Sequence, residues 1–287
     1  MSTLTEFVLV TGMTGAGRST AAKALEKLGY YVVDNLPPGM LRELLSQVEA
    51  AEDINRLAVV VDSRSRTFFF SLTETIAEIQ QTGLHVRTVF LEASDDVLVR
   101  RQEAARRPHP LSAQGRLMDG FAKERELLQV IRGRADMVID TSSLNVNQLT
   151  SRMRHSFEDP TENALNITLV SFGFKYGLPI DANFIADMRF LPNPFWNPEL
   201  RPLTGLDEAV SDFVLGQPRA NEFLDSYESM LELLTDGFVQ EDKLYMTIAI
   251  GCTGGKHRSV AMSEALNKRL RSRGANTIVV HRDLGRE

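Results

Sequence analysis

One octapeptide constrains this chain more than any other feature. Gly12-Met13-Thr14-Gly15-Ala16-Gly17-Arg18-Ser19 has the spacing G-x-x-x-x-G-K-[ST], with Arg18 at the lysine position. It follows the apolar run Phe7 to Val10 and opens a helical pattern, Ser19 to Leu28, that stops at Gly29. A strand, a glycine loop and a helix in that order aim main-chain amides and the positive end of the helix dipole at one point, where phosphates bind. The Ser19 hydroxyl is then the expected Mg²⁺ ligand. The loop predicts a site for a purine nucleoside triphosphate. Arg18 keeps the charge but replaces a compact ammonium with a planar fork, which alters placement of the γ-phosphate, so binding is better supported than hydrolysis.

The first half alternates short apolar runs with amphipathic stretches. Strands are predicted at Phe7 to Val10, Tyr31 to Val33, Leu57 to Val61, Val86 to Leu91 and Met137 to Ile139. Helices are predicted at Ser19 to Leu28, Leu41 to Ala50, Phe68 to Gln80, Asp96 to Arg106 and Leu117 to Gly133. Strands joined by crossover helices pair in parallel, so the fold class is α/β, with an N-terminal doubly wound parallel sheet of the P-loop kinase kind. At 287 residues the chain exceeds the usual domain of roughly 100–200 residues, which predicts two domains. A polar stretch from His155 to Asn166, containing Asp159, Pro160, Thr161, Glu162 and Asn163, reads as the linker and places the domains at 1–157 and 164–287.

The second, smaller α/β domain opens with a strand at Ile167 to Ser171. An aperiodic segment from Gly173 to Gly205 follows, rich in Pro, Asn, Gly and aromatics, and a loop of that length with that apolar content reads as ordered and functional. Helices at Leu206 to Val214 and Ala220 to Thr235, a strand at Tyr245 to Ile250, a helix at Ser259 to Arg271 and a short strand at Thr277 to Val280 complete it.

Several residues are candidates for completing the phosphate site. Asp62 ends the run Leu57 to Val61, where a carboxylate would hold Mg²⁺ together with Ser19. Asp34, after Tyr31 to Val33, competes for that role, and Asn35-Leu36-Pro37-Pro38-Gly39 looks like a binding loop. Arg100, Arg101, Arg106 and Arg107 resemble the arginine-bearing lid of small P-loop kinases, although a solvated helix face is the commoner reason for any one of them. Thr141-Ser142-Ser143-Leu144 follows the fifth strand, where kinase-like folds often touch the base. No residue identifies itself as catalytic.

A second loop, Cys252-Thr253-Gly254-Gly255-Lys256-His257-Arg258-Ser259, also lies between a strand and a helix and fits the C-x5-R-[ST] pattern of cysteine phosphatases. Gly251 stands where those enzymes usually carry histidine, and no aspartate offers itself as general acid, so a non-catalytic anion pocket is the favoured reading. An RNA phosphate or a small phosphorylated metabolite are its candidate ligands. Phe172, Phe174, Tyr176, Phe195 and Trp196, interleaved with Lys175 and Arg189, offer stacking and backbone contacts to single-stranded RNA, or else simply pack. From Cys252 onward eight basic residues face three acidic ones, although the whole chain carries a net charge of -6. That excess reads either as a solvated helix face or as a nucleic-acid contact.

Composition narrows the setting. Hydrophobic residues make up 43% and charged residues 24%, as in soluble globular chains. The longest apolar runs fall far short of the roughly 20 residues that span a bilayer, and no basic segment precedes an apolar signal core. The single cysteine, Cys252, forms no intrachain disulfide, which suits a reducing compartment and predicts a cytoplasmic protein.

With both loops in view, the chain resembles the RapZ/YvcJ family of P-loop nucleotide-binding proteins. The segments that carry the resemblance are Gly12 to Ser19, Val33-Asp34-Asn35-Leu36-Pro37, Asp62-Ser63-Arg64-Ser65, and Arg106-Arg107-Pro108-His109-Pro110-Leu111. In the second half they are Ser171 to Gly177, Arg189 to Pro194, and Gly251 to Val260 followed by His281-Arg282-Asp283. The resemblance implies ATP binding at Gly12 to Ser19, GTP binding associated with Asp62 to Ser65, slow ATPase and GTPase activity, and a homo-oligomer. In the enteric branch it implies a C-terminal domain that binds RNA and presents it to an endonuclease, with a pocket that senses an aminosugar phosphate. Two positions depart from the family pattern. Arg18 replaces the common lysine, which bears on hydrolysis, and Phe195 stands where the enteric branch places histidine, which bears on the sugar phosphate. The expected function is a nucleotide-binding regulatory protein with Mg²⁺-dependent, weak ATPase/GTPase activity. A small-molecule P-loop kinase and a cysteine-dependent phosphatase are the alternatives.

Overall fold

The computed structural model describes residues 4–51, 54–61, 75–81, 84, 86–106, 109–112, 116–157, 165–240 and 245–286. The chain divides into two compact units, Met1–Asp159 and Pro160–Glu287.

The first unit is built on five parallel strands: β1 (Glu6–Gly12), β2 (Tyr31–Val33), β3 (Arg56–Val60), β4 (Val86–Glu92) and β5 (Met137–Asp140), in the order β2-β3-β1-β4-β5. Its helices include α1 (Arg18–Lys27), α2 (Leu41–Ala50), α3 (Asp95–Ala105), α4 (Leu117–Arg134) and α5 (Val146–Phe157). β1 is central, so both of its faces are covered, and from Phe7 to Gly12 every residue is buried. The chain leaves β1 through α1 toward β2 on one side, whereas β4 leads to β5 on the other. That reversal opens a crevice at the carboxyl ends of β1 and β4, the usual ligand position in an open parallel sheet. Gly12 makes it possible: a Cβ there would lie 2.0 Å from the Leu91 carbonyl oxygen, and the backbone φ is +138°. Leu9, Val10, Leu57, Val59, Phe90 and Leu91 lie within the core, each worth about 1.5–3 kcal/mol when fully buried.

The second unit holds four parallel strands: β6 (Asn166–Gly173), β7 (Phe184–Asp187), β8 (Tyr245–Cys252) and β9 (Asn276–His281), in the order β7-β8-β6-β9. Three helices accompany them, α6 (Glu208–Leu215), α7 (Pro218–Gln240) and α8 (Arg258–Ser272). Leu169, Ile248, Ile250, Val210, Val214, Met262 and Leu266 form its core. Register pairs Gly173 with Cys252, Asp187 with Gly251 and Ser171 with His281, so the carboxyl ends of all four strands meet beside the start of α8. No helix among the described residues is long and apolar enough to cross a membrane.

The architecture is the α/β arrangement expected, with corrections. The segment Gly173 to Gly205 is not one aperiodic loop: β7 lies inside it and pairs with β8 over Phe184–Asp187, and three short 3-10 turns order the rest. α5 covers Val146–Phe157, so His155, Ser156 and Phe157 belong to a helix, while Asn166 begins β6. The polar residues Asp159, Pro160, Thr161, Glu162 and Asn163 lie outside the described residues, as does the expected helix start at Phe68.

Candidate functional site

The octapeptide lies between β1 and α1. Met13 extends the pairing with β4, its amide donating to Leu91 O at 2.9 Å, and is fully buried. The chain then turns on left-handed Gly15 (φ +84°) and Gly17 (φ +103°), with Gly17 at the helix N-cap. Ala16 N donates back to Met13 O at 3.0 Å, closing the loop on itself. Among the described residues the amides of Gly15, Gly17 and Ser19 have no protein acceptor. Three open donors at the start of a helix are an arrangement whose partial positive charge suits an anion. Ser19 is exposed on the first turn of α1.

Side chains from outside the motif fix the carbonyls and the remaining amide. Arg101, on α3, donates to Gly15 O at 3.1 Å, to Thr141 Oγ1 at 2.9 Å and to Thr141 O at 2.7 Å. The buried Thr141 hydroxyl in turn lies 3.0 Å from Ala16 O. Burial lowers the Arg101 pKa from the usual arginine value, with Asp140 opposing the shift. Glu124, on α4 and 1% exposed, accepts the Thr14 amide at 3.1 Å and the Thr14 hydroxyl at 2.7 Å. His109 lies 3.1 Å from the same carboxylate and is 2% exposed. Neither Glu124 nor His109 was legible as a neighbour of the loop, because Glu124 acts on a backbone group 110 positions away and His109 acts through the Glu124 carboxylate.

The other expected residues distribute unevenly. Arg18 donates to Val61 O at 3.2 Å, toward the end of β3. Asp62, Ser63, Arg64 and Ser65 lie outside the described residues, as does Arg107. Asp34 and Asn35 are exposed beyond β2, and Asn35 adopts φ +59°. Of the arginines grouped as a lid, Arg101 is a strut beneath the loop, and Arg100 pairs with Asp96 one helical turn away, at 3.3 Å. Thr141 faces the loop's underside.

In the second unit, Cys252 to His257 join β8 to α8. The Cys252 thiol is 3% exposed, accepts the Gly255 amide at 3.3 Å and lies 3.1 Å from Ser259 Oγ. Arg258 is 4% exposed and donates to Leu191 O at 2.9 Å and to Thr253 Oγ1 at 3.2 Å, tying the loop to the segment after β7. Burial lowers its pKa, against the pull of neighbouring Cys252 and Asp187. Its Nε atom is buried without a partner among the described residues. Lys256 Nζ and His257 Nε2 each approach Arg201 O at 3.3 Å. Gly254 and Gly255 pack directly on Gly173, where a Cβ would lie 2.6 Å from the Gly254 carbonyl carbon, and Asp283 holds the Gly173 amide at 2.8 Å.

Cations cap several aromatic rings nearby: Arg189 over Phe174 at 4.0 Å, Arg201 over Phe195 at 4.6 Å and Lys175 over Tyr176 at 4.7 Å. Asp187 chelates Arg189 at 2.7–2.9 Å, and that bond holds its carboxyl below the usual carboxylate range. Trp196 is 75% exposed, whereas Phe172 is fully buried and belongs to the core. Two basic residues at the end of α8 are paired with acids of α7: Arg269 meets Asp225 and Glu228, and Arg273 meets Glu228 and Glu232.

Residues 5–161 match the model of the RapZ-like N-terminal domain, and residues 165–285 match that of the RapZ C-terminal domain. A protein of Nocardioides sp. named a nucleotide-binding protein is 60% identical over 98% of this chain and 94% of its own length. One of the same description from Streptomyces coelicolor is 57% identical over 98% of this chain and 95% of its own. Among solved structures, a shikimate kinase from Bacteroides thetaiotaomicron is similar over 53% of this chain and 98% of its own at 18% identity, with a TM-score of 0.39. Both halves match in order and the relatives agree nearly end to end, and so the chain belongs to the RapZ family.

Proposed function

We propose that this chain is a nucleotide-binding regulatory protein: it holds ATP or GTP on the loop Gly12 to Ser19, hydrolyses it slowly, and uses its C-terminal unit to bind RNA or a phosphorylated small ligand. The observation that carries the nucleotide half is the set of open amides at Gly15, Gly17 and Ser19, presented at a helix start by glycines in conformations that other residues resist. The naming of close relatives as nucleotide-binding proteins agrees with it.

Mg²⁺ fits the same place. It needs few protein ligands once a nucleotide supplies phosphate oxygens, and the exposed Ser19 hydroxyl offers one beside the loop. When bound, the ion neutralises phosphate charge; Asp62 is the proposed second ligand. Loop amides bind and orient the phosphates, and Arg18 releases Val61 O to reach them. A longer, planar cation at that position places charge differently from lysine, which favours slow turnover. GTP contacts at Asp62 to Ser65 remain part of the proposal.

In the C-terminal unit the loop Cys252 to Ser259 is read as an anion pocket rather than a phosphatase centre, because the thiol is buried and Arg258 is spent on the Leu191 carbonyl. Exposed Trp196 and the capped rings of Phe174, Phe195 and Tyr176 suit stacking of unpaired bases more than long-range charge attraction. A cytoplasmic homo-oligomer is the proposed setting.

Isothermal titration of the full chain with ATP and with GTP, each with Mg²⁺, tests the central claim. Saturable one-site binding of either is expected. Heats no larger than dilution for both nucleotides would remove it.

A further inference from the structure

We infer that Glu124 is a positioning residue for the phosphate loop, with His109 as its support, and that this buried pair sets the shape in which the loop accepts an anion. The inference rests on the nucleotide reading above and adds residues that no motif assigns.

The geometry is specific. Both Glu124 carboxylate oxygens lie 3.1 Å from the Thr14 amide, and Oε1 also accepts the Thr14 hydroxyl at 2.7 Å. His109 Nδ1 accepts the Leu111 amide at 3.2 Å, so in the neutral ring the proton sits on Nε2 and is donated to Glu124 Oε2 at 3.1 Å. Gly120 lets the imidazole lie against α4: a Cβ there would be 2.6 Å from His109 Nδ1. Phe121 closes the other side, its ring centroid 4.4 Å away in an edge contact.

Consider the peptide planes of the loop. Glu124 holds the plane between Met13 and Thr14 through the Thr14 amide. Arg101 holds the plane between Gly15 and Ala16 through Gly15 O, and Thr141 holds the next through Ala16 O. The plane between Thr14 and Gly15, which carries the open Gly15 amide, is thereby pinned from both sides. The Thr141 contact does the same for the plane that carries the Gly17 amide. Preorganised donors bind a phosphate without first giving up conformational freedom, which is where the affinity gain lies.

The choice of a carboxylate is telling. A buried negative charge close to an anion site works against the ligand through space, so a residue that served packing alone would be better neutral. Charge-assisted bonds to an amide, a hydroxyl and an imidazole hold the loop more firmly than neutral ones would. His109 also ties in the stretch 109–112 that follows the arginine-bearing end of α3, so loop and stretch share one anchor.

The test uses the full chain. Glu124→Gln keeps size and shape but loses the charge, and is expected to weaken ATP·Mg²⁺ binding at least tenfold while the melting temperature of the nucleotide-free protein stays within about two degrees. Hydrogen exchange at residues 13–17 of the nucleotide-free variant is expected to quicken, while β1 and α1 keep their protection. Thr14→Ser and His109→Gln, which retain the donors, should bind like the wild type; Thr14→Val and His109→Leu should fall between. If the wild type binds ATP and Glu124→Gln binds it equally or more tightly, this inference is overturned and the nucleotide reading survives. If the wild type binds neither ATP nor GTP, both fall together.

Discussion

Gly17 carries two constraints at once. Its φ of +103° is a conformation that costs a residue with a Cβ roughly 1 kcal/mol or more, and a Cβ there would lie 2.8 Å from Leu149 Cδ2 on α5. Gly17→Ala is therefore expected to displace the first turn of α1 and weaken ATP binding by more than tenfold, read by titration. Pairing it with Leu149→Ala separates the causes: relief of the clash without relief of the backbone strain should recover only part of the affinity, and full recovery would show that the left-handed turn is dispensable. At this scale the sequence was informative where backbone geometry follows from spacing, as for the left-handed turns at Gly15 and Gly17. It was silent where a buried side chain serves a backbone group far away. Glu124 stands in an ordinary amphipathic helix, and nothing local distinguishes it from the exposed Glu126 two residues on; only the fold brings it to Thr14, 110 positions earlier.

Elements that announce themselves by period were read correctly, and those that lean on neighbours were not. β2 and α2 have the predicted bounds, Tyr31–Val33 and Leu41–Ala50, because an apolar run and an amphipathic face suffice to define them. β7 is four residues set among Pro and Asn, and its strand character comes from pairing with β8 at the sheet edge. α5 hides in a polar sequence whose buried face, Leu149, Met153 and Phe157, is matched by α1. The junction of β6, β9 and α8 gives an element-scale prediction. His281 Nδ1 lies 2.8 Å from Ser171 Oγ and its Nε2 lies 3.1 Å from Glu264. Burial lowers the His281 pKa below the ordinary 6.5, outweighing the pull of Glu264. A lowered folded pKa means that the unfolded chain takes up the proton first, so this contribution is fully present above about pH 6.5 and is lost as pH falls through the folded value. Urea unfolding between about pH 8 and 5 should show stability declining on acidification, with a shallower decline in His281→Gln; an equal slope in both proteins would contradict the assignment.

At the scale of the whole molecule, each unit has its own sheet, core and glycine-built loop at the carboxyl ends of its strands. Two independent cores predict two unfolding events, and a ligand stabilises only the unit whose folded form it binds. Calorimetry of the full chain with ATP·Mg²⁺ at a hundredfold excess over its dissociation constant should therefore raise one transition by about 2.7 kcal/mol of stabilisation and leave the other in place. At the same ATP concentration Gly17→Ala should cut that shift to about 1.4 kcal/mol or less without moving the second transition, because Gly17 and the Leu149 side chain beside it both lie in the first unit. A nucleotide that moved both transitions equally would mean that the two cores unfold as one cooperative body. In that event the second loop would have to be treated as energetically linked to the first, and reciprocity would require its own ligand to alter nucleotide affinity by the same factor.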